Sequence, residues 1–190
     1  NGPTLTGALT NSGTLNVTGS TTASGGLTQS SGAFNISGGQ TFTIGGSGLD
    51  VQGGALNSAG SLVLPAGAIV NVPAGGTLSG NGTVGTVANP ITVNNLSGTV
   101  APGASPGILT INGDYAQGAS GVLAIDIGGT TAGTQYDQLV VTGNVGLGGT
   151  LNTTVINSFV PAAGNTFNVI QAGGTLSGTF ATTSFPAGSG

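Results

Sequence analysis

The chain lacks most of the side chains that proteins use for chemistry. Its 190 residues include no Lys, Arg, His, Cys, Met or Trp, and its four acidic residues are all aspartates. Imidazole, thiolate and amine groups supply most general bases and covalent nucleophiles. Guanidinium and ammonium groups supply most contacts to phosphate. We therefore predict a protein that is not an enzyme, has no catalytic, cofactor-binding or metal site, and binds no nucleic acid.

Low charge and short apolar runs narrow the class of protein further. Disordered chains usually have a high net charge, whereas this chain has a formal net charge of −4, so we expect it to fold. Its richest apolar stretch, residues 61–76, is broken by Pro65 and Pro73, so no transmembrane helix is predicted. A trypsin-type protease finds no cleavage site and there is no thiol or thioether to oxidise, which suits an extracellular location.

Glycine is abundant, with 40 residues, and it separates short segments in which apolar and polar residues alternate. Period-two alternation between turn residues is typical of half-buried strands. The pairs predicted to point inwards include Leu15/Val17, Phe34/Ile36, Phe42/Ile44, Leu49/Val51 and Leu62/Leu64. No stretch has the 3.6-residue apolar period of a secure helix. The sequence therefore predicts an all-β protein.

The spacing of these segments favours a β-solenoid. Apolar segments begin about every seven residues, at Phe34, Phe42, Leu49, Leu56, Leu62, Ile69, Leu78, Val84 and Ile91. Three such segments give a coil of roughly 20 residues whose strands pair in parallel with the next coil. Roughly nine coils at about 4.8 Å each would form a rod on the order of 45 Å long. A β-sandwich with glycine-rich loops is the alternative.

The character of the chain changes in its second half. Strands lengthen from Ile108 onwards, and three of the four aspartates and both tyrosines lie beyond that point. We predict glycine-rich coils over residues 1–107 and a thicker continuation of the same rod over residues 108–190.

Three segments carry a resemblance to a known family. They are VAPGASPGILTINGDYAQ (residues 100–117), GVLAIDIGGTTAGTQYDQLVVTGNVGLGGTL (121–151) and FNVIQAGGTLSGTF (167–180). Their order over roughly residues 100–180 resembles the C-terminal part of autotransporter passengers and the autotransporter-associated strand repeats of large bacterial surface proteins. The resemblance implies a right-handed parallel β-helix exposed on the surface of a Gram-negative cell. It gives no expectation about membrane anchoring.

A few motifs could carry chemistry, and each also has a structural interpretation. The GASPG sequence places Ser105 in a nucleophile-elbow pattern, but that elbow needs a histidine base, so we predict a rigid turn. The GGSGLDVQG sequence around Asp50 resembles a single calcium-binding nonapeptide, and calcium needs adjacent copies. Asp126 and Asp137 could face each other as a carboxylate pair, together with Asp114. Asp126 is instead predicted to face solvent, and Asp114 and Asp137 to be turn residues beside aromatic caps.

Two further groups of residues receive structural interpretations. Thr-x-Thr pairs at Thr4–Thr6 and Thr41–Thr43 could order water, but the motif is not repeated in one register along the sequence. Four phenylalanines are assigned to the core, namely Phe34, Phe42, Phe167 and Phe180.

These observations together predict an extracellular, non-catalytic structural protein on a bacterial surface. Neither terminal sequence, NGPTLTG or FPAGSG, resembles a cap, so the ends of the β-helix are expected to stack head to tail into a filament or matrix. Self-association is thus the main expected contact, with surface glycans or other cells as further partners. The alternative is a monomeric adhesin-type passenger fragment that displays a binding surface.

Overall fold

The strands form a stack of eight coils in which each coil contributes one strand to each of three faces. The structure is a computed structural model that describes residues 2–185. Face 1 consists of β1 (Thr4–Leu5), β4 (Thr21–Ala23), β7 (Thr41–Ile44), β10 (Ser61–Val63), β13 (Thr83–Val84), β16 (Ile108–Ile111), β19 (Gln138–Val141) and β22 (Ile170–Ala172).

The other two faces follow the same order. Face 2 consists of β2 (Leu9–Asn11), β5 (Leu27–Gln29), β8 (Leu49–Val51), β11 (Ile69–Val72), β14 (Ile91–Asn95), β17 (Gly113–Gln117), β20 (Val145–Leu147) and β23 (Leu176–Gly178). Hydrogen-bonded pairing is interrupted between β8 and β11, which lie against each other. Face 3 consists of β3 (Thr14–Val17), β6 (Ala33–Ile36), β9 (Gly54–Ser58), β12 (Gly76–Gly80), β15 (Thr99–Pro102), β18 (Val122–Ile127), β21 (Thr150–Val155) and β24 (Thr182–Ser184).

Every pairing between these strands is parallel, and each strand pairs with its counterpart in the next coil. No helix occurs within residues 2–185. This arrangement confirms the predicted all-β parallel β-helix and excludes the β-sandwich, whose hairpins would pair antiparallel. The right hand of the coil remains a prediction taken from the family resemblance.

The core is a set of apolar columns that run along the axis of the stack. On face 3 the inward column passes from Leu15 to Phe34, Leu56 and Leu78, and then to Val100, Leu123 and Leu151. Phe34, Phe42 and Leu62 are completely buried. The predicted inward pairs are therefore confirmed, although Leu15, in the first coil, is only partly buried.

The coils grow longer along the chain. Column partners are 19 residues apart at Asn16 and Asn35, 23 apart at Asn71 and Asn94, and 31 apart at Asn144 and Thr175. The sequence prediction of about nine coils is therefore wrong, because it extended the short N-terminal period to the whole chain. The eight coils of residues 2–185 are separated by seven spacings of about 4.8 Å, which gives a stack about 34 Å high from the first coil to the last.

Pairing continues across the boundary predicted at residue 107. Thr83 of β13 pairs with Thr110 of β16, and the five residues of β14 pair with those of β17.

Residues 2–185 contain no helix long and apolar enough to cross a membrane.

The outer surface carries columns of neutral polar side chains. Asn35 Nδ2 donates a hydrogen bond of 2.8 Å to Asn16 Oδ1 on face 3, and Asn94 Nδ2 donates one of 3.2 Å to Asn71 Oδ1 on face 2. Since partners in a parallel stack are about 4.8 Å apart, ionised groups in these positions would repel each other. Neutral amides avoid that repulsion and add hydrogen bonds between coils.

This explanation predicts the effect of charge in the asparagine column. Replacing both Asn16→Asp and Asn35→Asp is expected to lower the free energy of unfolding by about 1 kcal/mol at low salt. The loss should shrink at roughly 1 M salt because screening shortens the range of the repulsion. Urea unfolding at the two salt concentrations measures it. In the matched control, Asn16→Asp with Asn35→Lys, opposite charges face each other and the loss should be smaller. Equal losses in both variants would contradict the explanation.

Candidate functional site

Three residues singled out in the sequence meet at one corner of the stack, where face 3 turns into face 1. Asp137 Oδ1 accepts a hydrogen bond from the Gly107 N–H, and its Oδ2 accepts one from the Asp126 N–H, both 2.8 Å long. The Ser105 hydroxyl donates to the carboxylate of Asp126. The structure thus connects the turn at residues 103–107 to β18 and to the start of β19.

The carboxyl of Asp137 is buried, with only 3% of the residue exposed. Burial raises its pKa from the ordinary 3.8 to about 6 because water no longer solvates the charged form. The negative charge of Asp126 acts in the same direction, whereas the hydrogen bonds from the two backbone N–H groups lower the pKa. The desolvation of the carboxylate outweighs these two bonds.

The arrangement at this corner is suited to holding a turn. Both oxygens of Asp137 are occupied by backbone N–H groups, so neither is directed at a ligand. Ser105 has a φ of 60° and lies beside a carboxylate, and the sequence has no histidine to act as its base. Asp126 lies between buried Ile125 and Ile127 and points outwards, as predicted, where it is partly exposed and accepts the hydrogen bond from Ser105.

The raised pKa of Asp137 predicts an unusual pH dependence of stability. Between about pH 4 and pH 6 the folded chain retains the proton on Asp137, whereas the unfolded chain has released it. The free energy of unfolding should therefore fall by up to about 3 kcal/mol as the pH rises through this interval, and then level off. Urea unfolding at pH values from 4 to 8 measures the profile.

The matched control for this profile is Asp137→Asn, which removes the titrating group at similar volume. That variant should lose the fall in stability between pH 4 and pH 6, although its amide leaves one of the two backbone N–H groups without an acceptor. A free energy of unfolding that rises with pH in the unmodified chain would contradict the assignment.

The other two aspartates lie apart from this corner. Asp50, in β8 on face 2, is exposed and accepts a hydrogen bond of 2.9 Å from Gln52 Nε2. Asp114, in β17, accepts one of 2.6 Å from the Asn144 N–H in the next coil. Within residues 2–185 no three acidic, histidine or cysteine side chains gather as metal ligands would.

Tyr115 does not cap a turn, contrary to the sequence prediction, but lies inside the stack with 1% of its surface exposed. Its hydroxyl donates to Gln117 Oε1 over 2.7 Å, and Asn95 Nδ2 donates to that hydroxyl over 3.4 Å. Burial raises the pKa of Tyr115 above its ordinary value. Asn95 Oδ1 is buried without a hydrogen-bond partner. Tyr115 and Gln117 are two residues apart in one strand, and this period-two spacing was the sequence signal that both side chains point inwards.

The strand register aligns hydroxyl groups on the outside of face 1. Thr4, Thr22 and Thr43 form one column. The neighbouring column contains Thr41, Ser61, Thr83 and Thr110. The Thr-x-Thr motifs at residues 4–6 and 41–43 are nevertheless offset by two residues, because Thr4 aligns with Thr43 and not with Thr41, so the two motifs share no register, as predicted. The single-residue hydroxyl columns depend on unequal coil lengths that the sequence alone does not define.

The N-terminal end of the stack exposes the end of the apolar core. A cavity of about 380 Å³ opens there between faces 1 and 3 and is lined by Leu5, Leu15, Val17 and Phe42 among others. Leu5 is 38% exposed, whereas its column partner in the second coil, Ala23, is completely buried. Leu5 and Leu15 are thus partly open at this end, whereas Val17 and Phe42 are buried.

The C-terminal end is also apolar and open. A groove of about 620 Å³ lies beside β21 and is lined by Leu151, Val155, Phe167 and Phe185 among others. Leu176 is 55% exposed and Phe185 is 60% exposed. Phe167 and Phe180, which the sequence assigns to the core, are only partly buried against it because they belong to the last coils. The two ends are therefore the candidate interaction sites of the described chain.

Comparisons with protein-family models, with curated proteins and with solved structures gave no match.

Proposed function

We propose that the chain is a non-catalytic structural protein of a bacterial surface, a β-helical subunit that stacks head to tail into an extracellular fibre or matrix. The observation that carries this proposal is the set of unpaired strand edges at the two ends of the described residues. Within residues 2–185 the outer edges of β1, β2 and β3, and those of β22, β23 and β24, have no strand partner. Unpaired strand edges are templates for pairing with another chain.

The geometry of the two ends supports addition of a second copy. In a parallel β-helix the free edge at one end has the same strand direction as the free edge at the other, so a new coil can add without reversal. The last three strands have three residues each and the first three have two to four. Contact between opposite ends of identical chains is heterologous and does not close, so it produces a filament.

The placement of charge is also compatible with stacking. The four aspartates are Asp50, Asp114, Asp126 and Asp137, and none belongs to the first or the last coil. A carboxylate at either end would be desolvated on contact and would oppose stacking. The apolar residues exposed at both ends gain instead from being removed from water.

The extracellular location is proposed on two grounds. One is the resemblance of residues 100–180 to autotransporter passengers and their associated strand repeats. The other is a composition with no trypsin-type cleavage site and no readily oxidised sulfur, which suits long exposure outside a cell.

Electron microscopy and sedimentation of the purified chain over a wide range of protein concentration test the stacking. We expect unbranched filaments one stack wide, with a sedimentation coefficient that rises with concentration. A chain that remains monomeric at every concentration would overturn the filament proposal.

A second candidate function is a monomeric adhesin-type passenger fragment. Its support is the lengthening of the last coils, whose added residues lie in the segments at 128–137 and 156–169, between strands. Such segments at the edge of a rigid rod are suitable for display of a binding surface. A monomer that binds surface glycans or cells, and loses that binding when residues 157–165 are shortened, would favour this candidate over the filament.

A further inference from the structure

We propose that Phe185 of one copy inserts into the N-terminal cavity of the next copy and thereby sets the register of the stack. This inference rests on the proposed head-to-tail function. It is drawn from two features at opposite ends of the molecule, an exposed aromatic side chain and an apolar cavity, which belong to the same inward column.

The column lies on face 3, two residues further along each strand than the inward column described under the overall fold. It begins at Val17, which pairs with Ile36. At the other end Ile125 pairs with Thr153. Because Asn152 pairs with Ser184, the next residue, Phe185, lies one coil beyond Thr153. Thr153 Oγ1 donates to the Ser184 carbonyl over 2.8 Å, which fixes this alignment.

A second copy that continues the three faces places Phe185 one coil spacing from Val17, whose side chain is already buried in its own copy. Strand β3 would then extend the pairing of β24, so that Leu15 follows Thr183 and Val17 follows Phe185. The inward columns of the two copies would be continuous, with neighbouring positions about 4.8 Å apart.

The N-terminal cavity is large enough to admit an aromatic ring and is partly lined by apolar side chains. Its volume of about 380 Å³ exceeds the roughly 150 Å³ that accommodates benzene in an apolar protein cavity. Of its apolar lining, Leu5 and Leu15 are the side chains that an inserted ring would cover, because Val17 and Phe42 are already buried in their own copy.

Burial of Phe185 gives the contact its expected strength. The residue is 60% exposed, and complete burial of a phenylalanine removes roughly 150–250 Å² from water. On face 2, Leu176 is 55% exposed and occupies the last position of its column. Phe185 is the larger of the two side chains and has a cavity to receive it.

The first test is Phe185→Ser compared with Val87→Ser. Val87 is 84% exposed and lies outside the strands and the end cavities, so its variant removes a similarly exposed apolar side chain elsewhere. We expect Phe185→Ser to raise the critical concentration for filament assembly at least tenfold, and Val87→Ser to leave it unchanged. The circular dichroism of the monomer should be the same in both variants.

The second test uses the absence of cysteine from the chain. Val17→Cys and Phe185→Cys are made in separate chains and mixed under mild oxidation. Neighbouring positions about 4.8 Å apart fall within the Cα separation that a disulfide spans. We expect covalent dimers from this pair and none from Val17→Cys mixed with Ser177→Cys, whose cysteine lies on face 2.

The outcomes separate this inference from the function on which it rests. If the unmodified chain forms filaments but Phe185→Ser assembles equally well and the 17–185 pair gives no dimer, the register is overturned and the filament stands. If the unmodified chain stays monomeric and no cysteine pair reacts, both are overturned. If Phe185→Ser lowers the stability of the monomer and leaves assembly unchanged, Phe185 covers its own groove and the inference is overturned.

Discussion

Replacing Phe34 by alanine is expected to lower the free energy of unfolding by about 4 kcal/mol. Phe34 is completely buried in the face 3 column between Leu15 and Leu56, and its ring packs edge to face against Phe42. Alanine removes the apolar transfer free energy of the ring and leaves a cavity. Strands in neighbouring coils hold this cavity open on both sides, because the spacing between coils is fixed by backbone hydrogen bonds.

Urea unfolding followed by far-ultraviolet circular dichroism measures this loss. The matched control is Phe34→Leu, which retains most of the volume and should lower the free energy of unfolding by about 1 kcal/mol. A loss below about 1 kcal/mol for Phe34→Ala would show that the first coils collapse around the cavity. It would contradict the picture of an apolar column whose spacing the backbone fixes.

The columns of the core were predictable because the local pattern and the tertiary structure agree. Each short strand alternates apolar and polar residues, so Phe34 and Ile36 point inwards whichever strand lies next to them. Glycine between the strands marks the corners. Sequence spacing also indicates parallel coils, because the segments are too regular and have too few tight hairpin turns for an antiparallel sheet.

The number of coils and the contacts between coils were harder to predict from the sequence. Sequence gives the length of each segment but not how many residues separate two column partners, and this separation grows from 19 at Asn16 to 31 at Asn144. The hydroxyl columns on face 1 depend on that register, and so does the meeting of Ser105 with Asp126 across 21 residues. Asp137 was interpreted as a turn residue beside an aromatic cap because it adjoins Tyr136, whereas it is buried and accepts a hydrogen bond from Gly107, 30 residues earlier.

Alanine in place of Gly113 is expected to reduce stability by at least about 4 kcal/mol, among the largest effects of any single substitution in the chain. Gly113 is the first residue of β17 and has a φ of 136°, a conformation open to glycine and strongly strained for other residues. A methyl group at this position would overlap the backbone carbonyl of Ile91, the pairing partner in the preceding coil. Two independent penalties, backbone strain and steric overlap, therefore act together.

Gly146→Ala is the matched control for this substitution. Gly146 lies in β20 in the coil after Gly113, has no heavy atom within 4 Å of an added methyl group, and its φ is not positive. Its replacement should change the free energy of unfolding by less than about 1 kcal/mol. The chain has no tryptophan, so tyrosine fluorescence in a urea titration reports on Tyr115, which is buried two residues after Gly113, together with Tyr136. Similar midpoints for the two variants would mean that β14 and β17 can separate enough to admit a side chain. The close approach of successive coils would then be adjustable rather than fixed by the backbone.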